Sequence, residues 1–218
     1  MKIDVLEGVY DANERLSKEN ETLFRANGVF AMNVMASPGA GKTSLVIKTV
    51  RALKDRFSTA VIEGDIASRV DAEKFEEFDI PVVQINTGGA CHLDASMIGE
   101  AIEHLNLASL DLLIIENVGN LVCPAEFKLG EDLKVMLLSV AEGHDKPLKY
   151  PLMFGLADVL LINKIDLIEM TDFDREELKN VVKRMNPSIE ILELSCRTEE
   201  GLGDWIDWLE RRLAPKDA

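Results

Sequence analysis

The sequence predicts an α/β fold in which a mostly parallel sheet is flanked by helices. Two observations carry this prediction. From Val29 onward short apolar runs alternate with helical stretches, and these runs are apolar on both faces, as strands buried between two layers of helices are. Ligands of such folds bind beyond the carboxyl ends of the strands. We therefore expect the motifs that follow the strands to gather at one edge of the sheet.

The predicted elements alternate along the chain as they do in successive βα units. Strands are predicted at Val29–Met35, Thr59–Gly64, Pro81–Asn86, Asp111–Asn117, Val135–Ala141, Val159–Asn163 and Ile189–Leu194. Helices are predicted at Lys42–Asp55, Asp71–Phe78, Asp94–Leu105, Asp174–Met185 and Gly203–Leu213.

Residues 1–27 are predicted to form an N-terminal helical extension, and residues 28–218 the main domain. In the extension, apolar residues recur at roughly helical spacing among charged ones. They are Val5, Val9, Leu16, Leu23 and Phe24. Asn27 followed by Gly28 suits the end of a helix. We expect this amphipathic helix to pack on the domain.

The net charge is −15, from 39 acidic and 24 basic residues. This balance argues against a general nucleic-acid or anionic-membrane surface and favours small ligands, cations or basic partners. The N-terminus lacks the pattern of a secretory signal, and no apolar run approaches membrane-spanning length. Three cysteines in such a chain suggest reduced thiols, so a cytoplasmic protein is expected.

The stretch Ala36–Thr43 directly follows the first predicted strand and reads A-S-P-G-A-G-K-T. Glycines let the backbone turn successive N–H groups toward a phosphate chain at a helix N-terminus. Lys42 supplies a charge to the β- and γ-phosphates, and the Thr43 hydroxyl suits a phosphate-bound Mg²⁺. The stretch predicts a P-loop NTPase, with Ala36 in place of the usual first glycine. The predicted phosphate-binding residues are Ser37, Pro38, Gly39, Ala40, Gly41, Lys42, Thr43 and Ser44.

Acidic residues that follow two other strands predict the magnesium and switch elements. Glu116 opens the sequence E-N-V-G, which is similar to the D-x-x-G element of GTPases, and Gly119 can offer its N–H to the γ-phosphate. Asp65 and Asp71 follow the second strand, and either could position the attacking water or contact the metal. Asp65 is preferred because it lies closer to the strand end. Mg²⁺ is therefore assigned to Thr43, Asp65 and Glu116, and catalysis to Lys42, Asp65, Asp71 and Gly119.

The sequence N-K-I-D at 163–166 follows another buried strand and predicts a guanine site. The Asp166 carboxylate can accept hydrogen bonds from N1–H and the amino group of guanine, whereas adenine would present an acceptor to it. Asn163 can bond the base or the loop, and the Lys164 stem can cover the ring. Ser195, Cys196 and Arg197 resemble the S-A-K element that backs guanine with backbone amides. GTP is accordingly favoured over ATP, with slow turnover expected because no water-orienting glutamine follows Gly119.

A second site is predicted from Cys91, His92 and Cys123, in the loops that follow the third and fourth strands. If both strands end on the same edge, these side chains can converge beside the γ-phosphate region. Two thiolates and an imidazole suit Zn²⁺ or Ni²⁺ better than Mg²⁺. Three ligands leave a fourth position to water or a partner. The alternative is that the cysteines are buried as small apolar residues and the histidine is solvated.

Taken together, these motifs resemble the HypB family of hydrogenase nickel-incorporation GTPases, which are SIMIBI-type proteins that dimerise around bound nucleotide. The resemblance covers nearly the whole chain after Val29 and rests on A-S-P-G-A-G-K-T, E-G-D, T-G-G-A-C-H-L-D-A, E-N-V-G-N-L-V-C-P, G-H-D-K-P-L-K-Y-P and N-K-I-D. It implies GTP hydrolysis coupled to nickel delivery into the [NiFe] hydrogenase large-subunit precursor, with a partner nickel metallochaperone. It also implies a GTP-promoted homodimer sharing the Cys91, His92 and Cys123 sites, with Lys146 or Lys149 reaching the neighbour's nucleotide.

Three alternatives remain at this stage. The urease accessory GTPases share the phosphate loop and the G-H-D-K-P segment, but C-P-H is expected there rather than C-H-L-D. A regulatory GTPase would use the cysteines structurally, and a binding module would not hydrolyse GTP. The extension carries no cysteine or histidine, so high-affinity nickel storage is not expected.

Overall fold

The computed structural model describes residues 8–65, 75 and 80–214. The predicted helix Asp71–Phe78 lies outside this range except for Phe75, which is helical and buried. The candidate catalytic residue Asp71 also lies outside the described residues.

A single parallel sheet organises the described part of the chain. Its seven strands are β1 (Phe30–Ala36), β2 (Thr59–Asp65), β3 (Val82–Asn86), β4 (Leu112–Glu116), β5 (Leu133–Ser139), β6 (Val159–Asn163) and β7 (Glu190–Glu193). They are ordered β3-β2-β4-β1-β5-β6-β7, and every neighbouring pair is parallel. The predicted parallel α/β sheet is confirmed.

Helices cover both faces of this sheet. They are α1 (Val9–Asn27), α2 (Lys42–Leu53), α3 (Ala95–Ile102), α4 (Cys123–Glu126), α5 (Lys146–Lys149), α6 (Pro151–Leu156), α7 (Arg175–Met185) and α8 (Leu202–Leu213). Within the described ranges, none of the helices is both long and apolar enough to cross a lipid bilayer.

The sheet is buried because each layer of helices contributes apolar side chains to it. On one face, α2 and α8 pack over the central strands, and the Trp205 indole N–H donates to Thr49 Oγ1 at 2.9 Å. On the other face, α1 and α3 cover β1, β2 and β4, and α4, α6 and α7 cover β5 and β6. Burial on both faces explains why the strands read as continuous apolar runs.

The fifth strand differs from its predicted bounds by two residues at each end. We expected Val135–Ala141, whereas β5 ends at Ser139, where a 3-10 turn over Val140–Glu142 begins. The cause is a capping box, in which Ser139 Oγ accepts from Ala141 N and Glu142 Oε1 accepts from Ser139 N. The apolar residues Val140 and Ala141 therefore continue the sequence pattern without continuing the strand.

The buried face of α1 shares Phe24 with the predicted apolar face but otherwise differs from it. Val9 and Leu23 are 72% and 42% exposed, and the residues that face the domain are mostly polar. They are Asn13, Ser17, Asn20 and Phe24. Periodicity alone misplaced this face, because hydrogen bonds to backbone groups of the domain stabilise the buried polar side chains.

Candidate nucleotide site and metal centre

The loop between β1 and α2 has the backbone that a phosphate-binding loop requires. Gly39 and Gly41 have φ values of +75° and +107°, where a side chain is strained. Gly41 immediately precedes Lys42, the first residue of α2. The N-terminus of a twelve-residue helix therefore faces the loop, and its dipole favours an anion there.

A cavity of about 390 Å³ opens beside this loop at the carboxyl ends of β1, β2 and β4. Most of the predicted phosphate, magnesium and switch residues line it together. The lining comprises Pro38, Gly39, Gly41, Lys42, Thr43, Ser44, Glu63, Gly64, Asp65, Glu116, Asn117, Val118 and Gly119. Parallel strands bring these loops to one edge, as the position rule for such sheets predicts.

The chemistry of this cavity suits Mg²⁺. Thr43 Oγ1 donates to Glu116 Oε1 at 2.8 Å, so the hydroxyl and the carboxylate assigned to the metal are already adjacent. Glu63 pairs with Glu116 across the β2–β4 register, and both are almost fully buried at 2% and 3% exposure. Carboxylate and hydroxyl oxygens are the ligands that Mg²⁺ prefers. Glu63 was not among the predicted site residues, although a charged residue inside the apolar run at 61–64 is a signal of a functional role.

Gly119 lies directly against the phosphate loop. A Cβ built on it would lie 3.0 Å from both the N and the Cα of Pro38. A side chain at this position would push the phosphate loop away by a few tenths of an ångström, so glycine suits this close approach of two backbones. The predicted switch element and the phosphate loop are therefore in contact at Gly119 and Pro38.

A second cavity, of about 320 Å³, holds most of the residues predicted for the base. It is lined by Gly41, Ser44, Asn163, Lys164, Asp166, Leu167, Cys196 and Arg197. Gly41 and Ser44 also line the phosphate cavity. The two cavities therefore share a wall, as one nucleotide spanning both would need.

The first two residues of N-K-I-D hold the phosphate loop. Asn163 Nδ2 donates to the carbonyl of Ala40 at 2.8 Å, and Asn163 Oδ1 accepts from the Cys196 amide at 3.1 Å. Lys164 Nζ donates to the carbonyl of Gly39 at 2.7 Å. Asn163 therefore contacts the phosphate loop in the structure, and its contact with the base stays a prediction.

The third recognition residue, Asp166, is held by the loop after β7. Ser195 Oγ donates to Asp166 Oδ1 at 2.6 Å, and Arg197 Nη1 lies 3.6 Å from Asp166 Oδ2. Amides of this loop were expected to face guanine, but the amides of Cys196 and Arg197 donate to Asn163 and Ser195 instead. One of these acceptors, Ser195, belongs to the same loop, and the other, Asn163, lies at the end of β6.

The thiol of Cys196 is buried in this second cavity, and burial raises its pKa to about 11. Because only the thiolate reacts, we expect alkylation of Cys196 to be slow at pH 8 and to rise about tenfold per pH unit up to that pKa. Iodoacetamide labelling of a Cys91→Ser, Cys123→Ser variant, followed by mass spectrometry, measures this reaction. Rapid labelling at pH 8 would contradict it, and denatured protein provides the control with an ordinary thiol.

The predicted metal ligands converge. The Sγ atoms of Cys91 and Cys123 lie 2.9 Å apart, and His92 Nδ1 lies 3.8 Å from Cys91 Sγ. The ligand atoms of all three residues fall within 4.8 Å of one another, although 32 residues separate the cysteines. Burial lowers the pKa of His92, which favours the neutral imidazole that binds metals. The hydrogen bond to Cys91, with burial, raises the pKa of the Cys123 thiol.

The side chain of Asn117 connects this cluster to the phosphate cavity. Asn117 is fully buried, and its Oδ1 accepts from the amides of Leu93 at 3.1 Å and Val118 at 2.9 Å. Leu93 directly follows His92, whereas Val118 directly precedes Gly119. One carboxamide thus holds the loop that carries two candidate metal ligands and the predicted switch loop beside the phosphate cavity.

The segment from Gly143 to Pro151 lies at the surface near these loops. Lys149 forms an ion pair with Asp145, and Lys146 Nζ lies 5.6 Å from the centre of the Tyr150 ring. Glu142, which precedes the segment, accepts a hydrogen bond from Ser37 of the phosphate loop. Neither lysine lines the two cavities of the chain itself.

Comparison with known proteins places the chain in a family. The profile described as "CobW/HypB/UreG, nucleotide-binding domain" matches residues 30–193. Hydrogenase maturation factor HypB of Azotobacter vinelandii is 50% identical over 200 residues, which are 92% of this chain and 66% of that protein. The chain thus spans about two thirds of the length of that relative.

Solved structures agree with the fold. HypB of Archaeoglobus fulgidus is 39% identical with a TM-score of 0.86, covering 93% of this chain and 98% of that one. HypB of Helicobacter pylori in complex with nickel is 38% identical with a TM-score of 0.88, covering 93% and 95%. A LAO/AO transport system kinase, 17% identical with a TM-score of 0.55 over 95% and 76%, shares the fold alone.

These findings confirm the predicted P-loop NTPase fold of the SIMIBI type and the resemblance stated from the motifs. The matched profile extends from β1 to β7 and includes the phosphate loop, the N-K-I-D sequence and both metal-ligand loops. The chain belongs to the CobW/HypB/UreG family and, within it, to the hydrogenase maturation factors called HypB.

Proposed function

We propose that the chain is a Mg²⁺-dependent GTPase that carries nickel and helps to insert it into a [NiFe] hydrogenase large-subunit precursor, together with a partner nickel metallochaperone. The observation that carries this proposal is that one side chain, that of Asn117, contacts the loops of both sites. The Cys91, His92 and Cys123 cluster and the phosphate cavity are joined through Asn117. A cation site next to a nucleotide site can be altered by hydrolysis, as delivery of a metal requires.

GTP is assigned as the nucleotide through Asp166. Its carboxylate lines the second cavity and accepts a hydrogen bond from Ser195. In this position the carboxylate can also accept hydrogen bonds from the edge of guanine. Lys42 and the N-terminus of α2 supply positive charge to the phosphates. GDP is expected to occupy the same two cavities after hydrolysis.

The magnesium ligands are assigned to Thr43, Glu116 and Asp65, with Glu63 added from its position beside Glu116. The ion, when bound with GTP, neutralises charge that develops on the phosphates. Asp65, at the end of β2, is assigned to orient the attacking water, and Gly119 to donate its N–H to the γ-phosphate. Asp71 remains the other candidate for the water.

Nickel is the proposed cargo of the Cys91, His92 and Cys123 set, with Zn²⁺ as the competing ion. Two sulfur ligands and an imidazole suit both ions, and the H. pylori relative was solved in complex with nickel. Three ligands leave a position open. That position suits an ion that must be released. Free thiols of this kind require a reducing compartment, so the cytoplasm is the proposed site of action.

GTP is proposed to favour a homodimer. On α5, which lies within the Gly143–Pro151 segment, and on α6, which follows it, three leucines are exposed: Leu148 (61%), Leu152 (48%) and Leu156 (46%). Several large exposed apolar side chains within one short stretch of the chain favour an interaction surface. Lys146 or Lys149 would then reach the nucleotide of the second copy.

Metal titration tests the proposal. Cys91→Ser and Cys123→Ser are each expected to weaken Ni²⁺ binding by at least about tenfold, because each removes a thiolate ligand. Calorimetry of the reduced protein measures this, and Cys196→Ser is the matched control, since Cys196 lies in the base cavity away from the cluster. Unchanged nickel binding in both variants would favour a regulatory GTPase with structural cysteines.

Nucleotide specificity is checked in the same preparation. Phosphate release is expected from GTP and not from ATP, only with Mg²⁺ present, and it should be lost in Lys42→Ala. Intact GTP after prolonged incubation of the wild-type protein would show a binding module rather than an enzyme.

A further inference from the structure

Two buried asparagines of α1 contact both segments that carry the metal ligands. Asn13 Oδ1 accepts from the Ala95 amide at 2.8 Å, and Asn13 Nδ2 donates to the Lys128 carbonyl at 2.9 Å. Asn20 Nδ2 donates to the carbonyls of Ala95 at 2.9 Å and Leu129 at 3.0 Å. Ala95 follows His92 by three residues, and Lys128 follows Cys123 by five. Each asparagine therefore bridges the two segments.

The approach of α1 to the second segment is close enough to exclude a side chain. Gly130 has φ +101°, and a Cβ on it would lie 2.7 Å from the Ser17 carbonyl oxygen and 2.8 Å from both Asn20 Cβ and Glu21 N. The helix backbone thus rests directly on the chain that follows α4. This backbone contact does not depend on the hydrogen bonds of the asparagines. It fixes the same separation, that between α1 and the segment after α4.

A stack of rings continues from α1 to the metal ligand itself. The Tyr10 ring lies 5.3 Å from the ring of Phe127, measured between centroids, and the Phe127 ring lies 3.9 Å from that of His92 at an interplanar angle of 28°. Tyr10 Oη also donates to Glu126 Oε2 at 3.1 Å. Phe127 is buried at 8% exposure. The orientation of the imidazole is therefore set by a ring that α1 holds in place.

From these contacts we propose that α1 is a working part of the metal centre: it fixes the separation of the Cys91 and Cys123 segments and the orientation of the His92 ring. Tyr10, Asn13, Asn20 and Phe127 are then positioning residues for the cargo ion. The inference rests on the proposed function, because it assumes that Cys91, His92 and Cys123 bind the metal. Groups that orient metal ligands typically contribute about 10- to 100-fold to metal affinity.

The physical reason is the small size of α4. Cys123 begins a helix of only four residues, which cannot fix a ligand by its own hydrogen bonds. The loop that carries Cys91 and His92 contains turns rather than a strand or a helix. Both ligand segments therefore depend on a longer neighbour for their geometry, and α1, with 19 residues, is in contact with both.

Phe127→Leu is the main test, because it keeps an apolar side chain and removes the stacked ring. We expect Ni²⁺ affinity, measured by competition with a chromophoric chelator, to fall at least about tenfold. The near-ultraviolet thiolate-to-nickel absorption bands should shift, since the imidazole changes orientation. Affinity for a GTP analogue without metal should change less than about twofold, because the nucleotide cavities do not contact Phe127.

Tyr10→Phe is the milder variant and keeps both the ring and the helix. It removes only the hydrogen bond to Glu126, so the shift of the absorption bands should be in the same direction and smaller. Leu23→Ala is the matched control on the outward face of α1, and it should leave affinity and spectrum unchanged.

Two results separate this inference from the proposed function. If Cys91→Ser binds nickel as tightly as the wild-type protein does, the assignment of the metal site itself is wrong. If Cys91→Ser weakens it, while Phe127→Leu, Asn13→Ala and Tyr10→Phe all keep the wild-type affinity and spectrum, the role of α1 is overturned. A variant that changes stability alone would leave the spectrum of its folded, nickel-bound form unchanged, and that outcome also counts against the inference.

Discussion

Replacing Gly41 by alanine is expected to weaken binding of a GTP analogue by at least about 100-fold. Two costs add. The φ of +107° strains any residue with a side chain by about 1–2 kcal/mol, and the new Cβ would lie 2.5 Å from Asn163 Nδ2. Asn163 must then leave the Ala40 carbonyl and the Cys196 amide, at a cost of about 1–3 kcal/mol for the buried groups left unpaired.

Gly39→Ala is the matched control for this prediction. Gly39 has a similar φ of +75°, but a Cβ on it meets nothing within 4 Å. We expect Gly39→Ala to show only the effect of backbone strain, which should lower the affinity for the GTP analogue about tenfold. Fluorescence titration with a labelled GTP analogue measures both variants. Equal effects of the two substitutions would show that the contact with Asn163 has no part in forming the site.

Asn117→Ala is expected to abolish the coupling between nickel binding and nucleotide binding. Without the side chain, the buried amides of Leu93 and Val118 lose their acceptor, which should lower the free energy of unfolding by about 3 kcal/mol. In the wild-type protein, a GTP analogue should change Ni²⁺ affinity by about 5- to 150-fold, and nickel should change analogue affinity by the same factor. In Asn117→Ala we expect both factors to fall close to one.

Asn33→Ala provides the control for Asn117. Asn33 Oδ1 accepts from Asn117 Nδ2 at 3.2 Å, and both side chains are fully buried. Its removal leaves the hydrogen bonds from Leu93 and Val118 to Asn117 in place, so the coupling should persist despite lower stability. Paired titrations of nickel with and without the analogue measure the factor. Coupling retained in Asn117→Ala, or lost equally in Asn33→Ala, would contradict the assignment.

The local motifs were readable because each is built within a few consecutive residues. The phosphate loop follows its strand and precedes its helix directly, and β6 has the predicted bounds Val159–Asn163. The periodicity of apolar residues likewise located the other strands, with shifts of one or two residues at their ends. At the end of β5 the shift came from capping at Ser139, where side-chain hydrogen bonds end the strand inside an apolar run.

Other features could not be read because they depend on residues that are distant in sequence. The polar face of α1 is buried only because the backbone near Ala95 and Leu129 offers partners to Asn13 and Asn20. The pairing of Glu63 with Glu116 depends on the β2–β4 register, which joins residues 53 positions apart in the sequence. The hydrogen bond from the Cys196 amide to Asn163 was not readable either, because Asn163 lies on another loop.

By itself, the sequence determined the parallel α/β architecture and the phosphate loop, and it named the three candidate sulfur and imidazole ligands. These features follow from hydrophobic periodicity and from short motifs, which act over one strand, loop or helix. The tertiary structure decided that Cys91 and Cys123 meet, that Asn117 joins their loops to the phosphate cavity, and that α1 supports both. The reason is physical: strand order and helix packing fix distances between segments, and no local pattern encodes those distances.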